Sequence, residues 1–507
     1  MNAETQSLWM NVPLPPLDAI VPADRDAQVC VVGAGIAGAS VALALTEAGR
    51  RVVVVERDAI GAGETSRTSA HLASALDDRF HQLERWHGKD GARIAAESHA
   101  AAVDRIEQWC ARYGIACEFQ RIPGYLVATE ADQHRELDRE FEAAARAGLA
   151  PSRTDAGFGA LTGPALRFDA QARFHPLRYL AGIVGAARAL GARFVRADVR
   201  DIDGGKSPGV ALADGSRIGA AAVVVASNVP FHRRFTLHTK QAAYRSYVIA
   251  ARVPSGSVPD ALVWDLCEPY HYARVQPAGD GADWLIVGGT DHKTGQETER
   301  EPFARLQAWA RRLCPAIGET AFAWSGQIIE PVDGLAFIGR DPGEDHIYVV
   351  SGDSGNGLTH ATLAAPLLTA LVRGETHPWQ SVYDPARKRL NGAWLEENAN
   401  VAAQYRDWLA AGDIDAVAGL APGAGAVVRH GLHRFAFHRD DAGTLHAFSA
   451  RCPHLGCAVR WNAVERSWDC PCHGSRFAAA DGRVLNGPAD RGLEAIAAEQ
   501  EPSTQPV

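Results

Sequence analysis

The sequence predicts an α/β domain followed by a smaller all-β domain, and three observations predict it. Residues 29–56, VCVVGAGIAGASVALALTEAGRRVVVVE, place two β-branched runs around an Ala-rich stretch closed by Gly49; this is strand, glycine-rich turn, helix, strand. Strand-type and helix-type segments then interleave as far as about residue 384, the pattern of an α/β unit. From residue 420, LAPGAGAV opens a region of short strands, Pro-Gly turns and clustered Cys and His, the pattern of a small β domain.

The chain has 507 residues, enough for two or three domains. Apolar residues make up 47% and charged residues 22%, an ordinary globular composition. The net charge of −9 argues against nucleic acid and anionic lipid as partners. The opening MNAETQSLWMNVPLPPLDAI lacks the apolar core of a signal peptide. The longest apolar runs, such as Ala220–Ala226, are strand-length, so no transmembrane segment is expected and the protein is expected to be cytoplasmic.

Residues 1–26 read as an N-terminal extension. A long helix is expected over about His87–Tyr113, a strand over Ile115–Ala128 and a helix over Gln133–Gly148. A helix at Leu177–Leu190 precedes a strand near Phe194–Val199, a hairpin at Asp214-Gly215 and the buried-type strand AAVVVA. Residues 240–290 alternate in strand fashion, and Phe303–Leu313 is helical. Ile347–Gly352 is a strand leading through GDSGNGLTHA into a helix that runs to about Gly374. Residues 385–412 read as a polar helical connector.

Five of the nine cysteines, Cys30, Cys110, Cys117, Cys267 and Cys314, are scattered, whereas Cys452, Cys457, Cys470 and Cys472 fall within 21 positions. In a cytosolic chain such clustering points to metal before structural disulfides. The motifs are Cys452-Pro-His454-Leu-Gly-Cys457 and Cys470-Pro-Cys472-His473-Gly-Ser475. Two loops each offering one Cys and one His supply the donor set of a Rieske-type [2Fe–2S] cluster, in which two imidazoles replace two thiolates on one iron. Cys452 and Cys470 would bind one iron, and His454 and His473 the other. A Cys₂His₂ zinc site is the competing reading, but the spacing is not that of a finger.

On these motifs residues 413–497 resemble the Rieske domains of respiratory cytochrome bc complexes, which places an all-β domain at 413–500. GRVLNGPADRGL, residues 482–493, matches the proline-containing loop that covers the cluster in that family. The resemblance implies a disulfide between Cys457 and Cys472; two reduced thiols are the alternative. It also implies that Ser475 donates a hydrogen bond to the cluster, and that Phe477 stands where the family carries a second donor, a Tyr.

Gly33-Ala-Gly35-Ile-Ala-Gly38 follows a strand and opens a helix, and Glu56 ends the next strand 23 residues after Gly33. The glycines permit a tight turn and close approach of a pyrophosphate to backbone N–H groups, while the acid meets a ribose hydroxyl. These residues alone do not separate FAD from NAD. HPLRYLAGI (175–183), AAVVVASN (221–228), DGLAFIGRDP (333–342) and YVVSGDSGNGLTHATLAAPLLTALVRGE (348–375) resemble the D-amino-acid oxidase/glycine oxidase superfamily over about residues 27–375. The resemblance implies FAD in a Rossmann-like α/β domain of the GR2 type, with an inserted α+β antiparallel-sheet substrate domain. FAD-binding parts are expected at about 27–110, 165–238 and 326–384, and substrate parts at about 111–164 and 239–325. It implies that Gly352, Gly355, Asn356, Gly357 and Leu358 lie by the flavin ring, where the positive end of the following helix favours reduced flavin. GETSRTSAHL (63–72), with Arg67 as a further FAD contact, and WDLCEPYHYAR (264–274) resemble bacterial FAD-dependent oxidoreductases with an attached Rieske domain. His71 lies eight residues beyond Gly63, further than the covalent linkage position of some members, and is expected in the loop beside the flavin.

Amino-acid-oxidising relatives hold the substrate carboxylate with an Arg where this chain reads Trp324-Ser-Gly326-Gln-Ile328, so Ile328 replaces it. His271, Tyr272 and Arg274 are the candidate replacement contacts, and no single catalytic acid or base is assigned. The expected function is an FAD-dependent dehydrogenase acting at a C–N bond of a small substrate. Electrons would pass one at a time through the cluster to an external acceptor: a quinone, a ferredoxin or another redox protein. Reverse electron flow, and a redox sensor or scaffold without turnover, stay open. A Rieske oxygenase would need a two-His-one-carboxylate iron site, and the sequence offers no convincing one.

Overall fold

The valine-rich runs form adjacent parallel strands, Asp26–Val32 and Val52–Glu56, at the heart of the first sheet. The computed structural model describes residues 5–496 apart from 160, 233–236, 297–300, 389–390, 415–416 and 432. Residues 1–4 of the expected extension and 497–500 of the expected cluster domain lie outside the described residues.

The sheet order is Phe337–Arg340, Ile347–Ser351, Arg217–Val225, Asp26–Val32, Val52–Glu56 and Arg193–Arg196. All these neighbours pair in parallel except the edge strand Phe337–Arg340. Both faces are covered, which is why the strands read as continuous Val runs and not as alternation. The helices Ile36–Glu47 and Gly357–Val372 pack against each other and bring their N-termini to the carboxyl ends of the central strands. A crevice outside those strand ends is where open α/β sheets bind ligands.

The second sheet has nine strands, mostly antiparallel. Thr320–Pro331, Gln241–Pro254, Ala282–Lys293, His271–Pro277 and Leu262–Asp265 lie side by side. Gln120–Val127 and Leu161–Arg173 extend that row. Helix Pro302–Leu313 covers one face. Side chains alternate across a strand, so the other face is left to line a cavity.

Three local expectations change. The helix expected from His87 starts at Phe80 and is broken at Gly88. The strand expected from Ile115 starts at Gln120, because Gly114 turns left-handed and the Ile115 N–H donates back to Cys110 O to close the helix. The strand expected near Phe194–Val199 is two strands, Arg193–Arg196 and Val199–Asp203.

The C-terminal domain holds two small antiparallel sheets. One contains Gly425–His430, His433–Arg439 and Leu445–Ser449; the other contains Arg460–Asn462, Ser467–Asp469, Arg476–Ala478 and Val484–Asn486. The helix Gly392–Gln404 joins the domains and binds both. Its Asn398 donates to Thr239 O and its Glu397 pairs with Lys293, while Tyr405 and Trp408, just beyond it, donate to Leu455 O and Gly456 O.

At the centre of the domain contact the Glu465 carboxylate is fully buried. Arg245 at 3.6 Å and Arg67 at 3.8 Å reach it from the flavin-side domain, and Arg476 at 3.7 Å from its own. Thr5 and Ser325 donate hydroxyl hydrogen bonds to it. Burial opposes its ionisation, but the guanidiniums of Arg245, Arg67 and Arg476 outweigh burial and hold the carboxyl down at about 2. Removing one partner of a buried charge group leaves the others uncompensated, at a cost of about 3–5 kcal/mol. Glu465→Ala is therefore expected to lose stability of that order in urea denaturation. The unfolded carboxyl takes up its proton near about pH 4.3, the folded one only near 2. The Glu465 contribution is thus present above the unfolded value and lost as pH falls toward 2, and the gap between wild type and variant should narrow over that window.

Candidate functional site

The glycine turn after Asp26–Val32 is shaped by contact. Gly33 has φ +105°, and a Cβ there would sit 2.5 Å from Ala226 O; a Cβ on Gly38 would sit 2.0 Å from Gly33 O. The backbone therefore passes closer to its neighbours than any side chain allows. Glu56 accepts from the N–H groups of Ala34 and Asp58, both at 2.9 Å.

Gly35 and Glu56 line a cavity of about 370 Å³ that runs from this turn to the face of the second sheet. Gly352, Gly355, Asn356, Gly357 and Leu358 also line it, at the start of helix Gly357–Val372. Two helix N-termini thus open on one cavity, beside a turn in which a Cβ has no room. That cradle, with Gly35 and Glu56 at one end and the 352–358 turn at the other, fits a flavin dinucleotide. Arg67 borders the cavity, but its guanidinium turns away, donating to Ser325 O at 2.9 Å and to Thr5 Oγ1 at 3.2 Å. Its position is governed by the domain contact.

The end of the cavity on the second sheet is lined by Ser246, Val248, Trp264, Tyr270, Tyr272 and Ile328. Of the three candidate substrate contacts, only Tyr272 lines it; its hydroxyl lies 3.0 Å from Ser246 Oγ. His271 points to the opposite face, as strand alternation requires. There it stacks on Trp309 at 4.9 Å and lies 3.0 Å from Asp265. Arg274 is held under the cavity wall by Ser69 O, Gln276 Oε1 and Phe174 O. The readings of His271 and Arg274 as pocket residues are corrected accordingly. His71 does line the cavity, and burial, with Arg274 nearby, pushes its pKa down to about 3, so it is neutral.

Sequence reasoning missed Asp77 and Ser246, which line the cavity without belonging to any motif, and Gln327, which lies inside the quoted Trp324–Ile328 segment. It also missed that Tyr270, within the quoted WDLCEPYHYAR, lines it.

In the C-terminal domain the two Cys-His loops meet. Cys452 and Cys470 are buried, and their sulfurs interact directly. The rings of His454 and His473 stand 4.9 Å apart at 90°. His473 Nδ1 is buried without a hydrogen-bond partner among the described residues. Two adjacent thiols, two adjacent imidazoles and an unsatisfied ring nitrogen fit a [2Fe–2S] cluster held by Cys452, Cys470, His454 and His473. The sulfurs of Cys457, Cys470 and Cys472 lie within 4.8 Å of one another. Cys457 and Cys472, however, form a disulfide and are unavailable as ligands. Ser475 is fully buried, hydrogen-bonds the Cys452 sulfur and accepts from the Ala489 N–H at 3.0 Å. Phe477 packs in the same buried core as Cys452 and Cys470.

The two sites share a wall. Val484, Leu485, Asn486, Gly487, Ala489 and Asp490 of the cluster domain line the flavin-side cavity. Gln327, also in that lining, donates to Gly474 O at 2.7 Å, next to His473. His238 sets its ring 4.9 Å from His454 and 6.2 Å from His473.

Comparison with known proteins agrees with both halves. The FAD dependent oxidoreductase family matches residues 28–371, and the Rieske [2Fe-2S] domain matches residues 408–497. YhfW of Bacillus subtilis, named as a Rieske 2Fe-2S iron-sulfur protein, is 30% identical over 93% of this chain and 94% of its own length. Gamma-glutamylputrescine oxidoreductase of Escherichia coli is 26% identical over 69% of this chain and 84% of its own. Among solved structures, glycine oxidase of Geobacillus kaustophilus superposes with a TM-score of 0.61 at 19% identity, over 72% of this chain and 100% of its own, which shows a shared fold. No helix among the described residues is long and apolar enough to cross a membrane.

Two expectations follow from the site geometry. Gly33→Ala should leave the purified protein depleted of FAD, read as the flavin-to-protein absorbance ratio, because its Cβ has no space. Phe477→Tyr should raise the cluster potential by on the order of 40 mV in protein-film voltammetry, equivalent to about 1 kcal/mol for one electron. The added hydroxyl would donate toward the sulfurs and stabilise the extra negative charge of the reduced state; an unchanged or lower potential would mean that the side chain does not face them.

Proposed function

Because the chain belongs to the FAD-dependent oxidoreductase family and carries a Rieske [2Fe–2S] domain, we propose that it oxidises a small substrate at a C–N bond and delivers the electrons singly to an external acceptor. Bound FAD supplies a two-electron acceptor, and the cluster a one-electron carrier. The observation that carries the reading is the shared wall: segment 484–490 of the cluster domain lines the cavity, and Gln327 spans from that cavity to the loop of His473. Such closeness favours exchange inside one chain over a cluster that serves an unrelated purpose.

The residues around the cavity do three things in this reading. Trp264, Tyr270, Tyr272, Val248 and Ile328 exclude water from the reacting C–N bond. Their rings and the sheet beneath them orient the C–H that is lost. Helix Gly357–Val372 presents the positive end of its dipole to the ring end of the cavity. The substrate nitrogen would release its proton to solvent and the carbon would give up a hydride, for which bound FAD would be the acceptor, leaving a C=N bond. The similarity to an enzyme named for gamma-glutamylputrescine supports C–N chemistry. The external acceptor is proposed to be a quinone, a ferredoxin or another redox protein.

Anaerobic mixing with amines, N-methyl compounds and amino acids tests the reading, with the flavin followed by absorbance and the cluster by electron paramagnetic resonance. A competent substrate should bleach the flavin and then produce the signal of the reduced cluster. Bleaching that never reaches a dithionite-reducible cluster would overturn the proposed route. No bleaching by any compound would overturn the C–N assignment.

A further inference from the structure

We propose that the end of the cavity on the second sheet is a binding site for an organic cation, a protonated alkylamine bearing no carboxylate, with Asp77 as its counter-ion. The proposal rests on the C–N dehydrogenase reading and narrows its substrate class. Asp77 lies between strand His71–Leu72 and the helix that starts at Phe80, and its side chain lines the cavity. Its carboxylate has no hydrogen bond or ion pair among the described residues. It presses on the turn at the ring end: a Cβ on Gly355 would lie 2.3 Å from Asp77 Oδ2. A half-buried carboxylate with no hydrogen-bonded partner is costly to keep ionised, and a bound cation would supply one.

The surroundings favour a positive guest and oppose a negative one. Burial pushes the carboxyls of Asp77 up to about 6, and of Asp78, Asp291 and Asp353 up to about 7, so each resists ionising without a cation. Among the described residues the lining offers no free cation in return. Arg67 is committed to Ser325 O and the Glu465 group, and Arg57 donates to Val484 O. His71 is neutral, and Arg79, the guanidinium that attracts Asp77 and Asp78, acts from outside the lining and donates to Leu76 O. Ile328 stands where a carboxylate clamp would be and is apolar. Trp264, Tyr270 and Tyr272 present aromatic rings, which attract cations as well as alkyl chains. A substrate carboxylate would find no cationic partner among the described lining residues and would face Asp77.

The test uses FAD-loaded full-length protein and two matched probe series, n-alkylamines and the corresponding n-alkanoates, in isothermal titration calorimetry. Expected are saturable binding of amines, no binding of alkanoates over the same range, and a loss of amine affinity of roughly tenfold or more in Asp77→Asn. Asp77→Glu should recover part of that affinity, and both variants should keep their FAD. Alkanoates binding as well as amines, amines binding Asp77→Asn unchanged, or no amine binding at all would each overturn the site. Anaerobic flavin bleaching on the same samples separates the two claims. Amines that bind through Asp77 yet never bleach the flavin sink the dehydrogenase reading and leave the site. Amines that bleach wild type and Asp77→Asn with equal KM sink the site and leave the dehydrogenase.

Discussion

The arrangement of the two domains depends on the buried Glu465 carboxylate and the three guanidiniums around it. Burying a carboxylate costs more than one exposed pair returns, so the group is stable only because Arg245, Arg67 and Arg476 converge on it. Two of those arginines belong to the flavin-side domain and one to the cluster domain. Separating the domains would therefore strand unlike charges in both halves at once. Asp469 pairs with Arg476 at 3.0 Å, and Glu64 accepts from Asn486 at 2.7 Å. These contacts carry the same restraint outward to the segment that walls the cavity.

Everything at the shared wall follows from that restraint. With the cluster domain pinned at Glu465, the 484–490 segment closes one side of the flavin cavity. The imidazole side of the cluster loops faces His238 and Gln327. The connector helix Gly392–Gln404 adds a second fastening, with hydrogen bonds into both domains. The division of labour between the sheets is equally physical. The parallel sheet ends in helix N-termini, which suit phosphates and a reduced flavin ring. The antiparallel sheet offers instead a wall of side chains, two faces per strand. One of those faces is filled by helix Pro302–Leu313, and the other is free to meet a substrate.

The fold class and both cofactors were legible in the sequence because each rests on short-range spacing. A turn that accepts no Cβ must be written as Gly33-Ala-Gly35-Ile-Ala-Gly38. A cluster with two thiolate and two imidazole donors must be written as paired Cys and His on two loops. Valine runs buried on both faces announce a parallel sheet. Helix ends were less legible: Gly88 breaks one helix, and Gly114 ends it before the strand that was expected to begin at Ile115. These are backbone decisions made by single residues.

The sequence by itself determined which chemistries this protein can carry: a dinucleotide turn and a cluster donor set. Only the tertiary structure decided which side chains meet across the chain. His271 and Tyr272 are neighbours in sequence, yet strand alternation sends one to Trp309 and the other to the cavity. Arg274 shares the face of Tyr272 but is captured by four acceptors below the wall. Asp77 belongs to no motif and reaches the cavity because the loop before Phe80 is folded onto the turn at Gly355. Glu465 is an unremarked acid in a hairpin until Arg67 and Arg245, from distant segments, join Arg476 around it. Local spacing is written in consecutive residues, whereas burial and charge compensation arise only when distant segments are brought together.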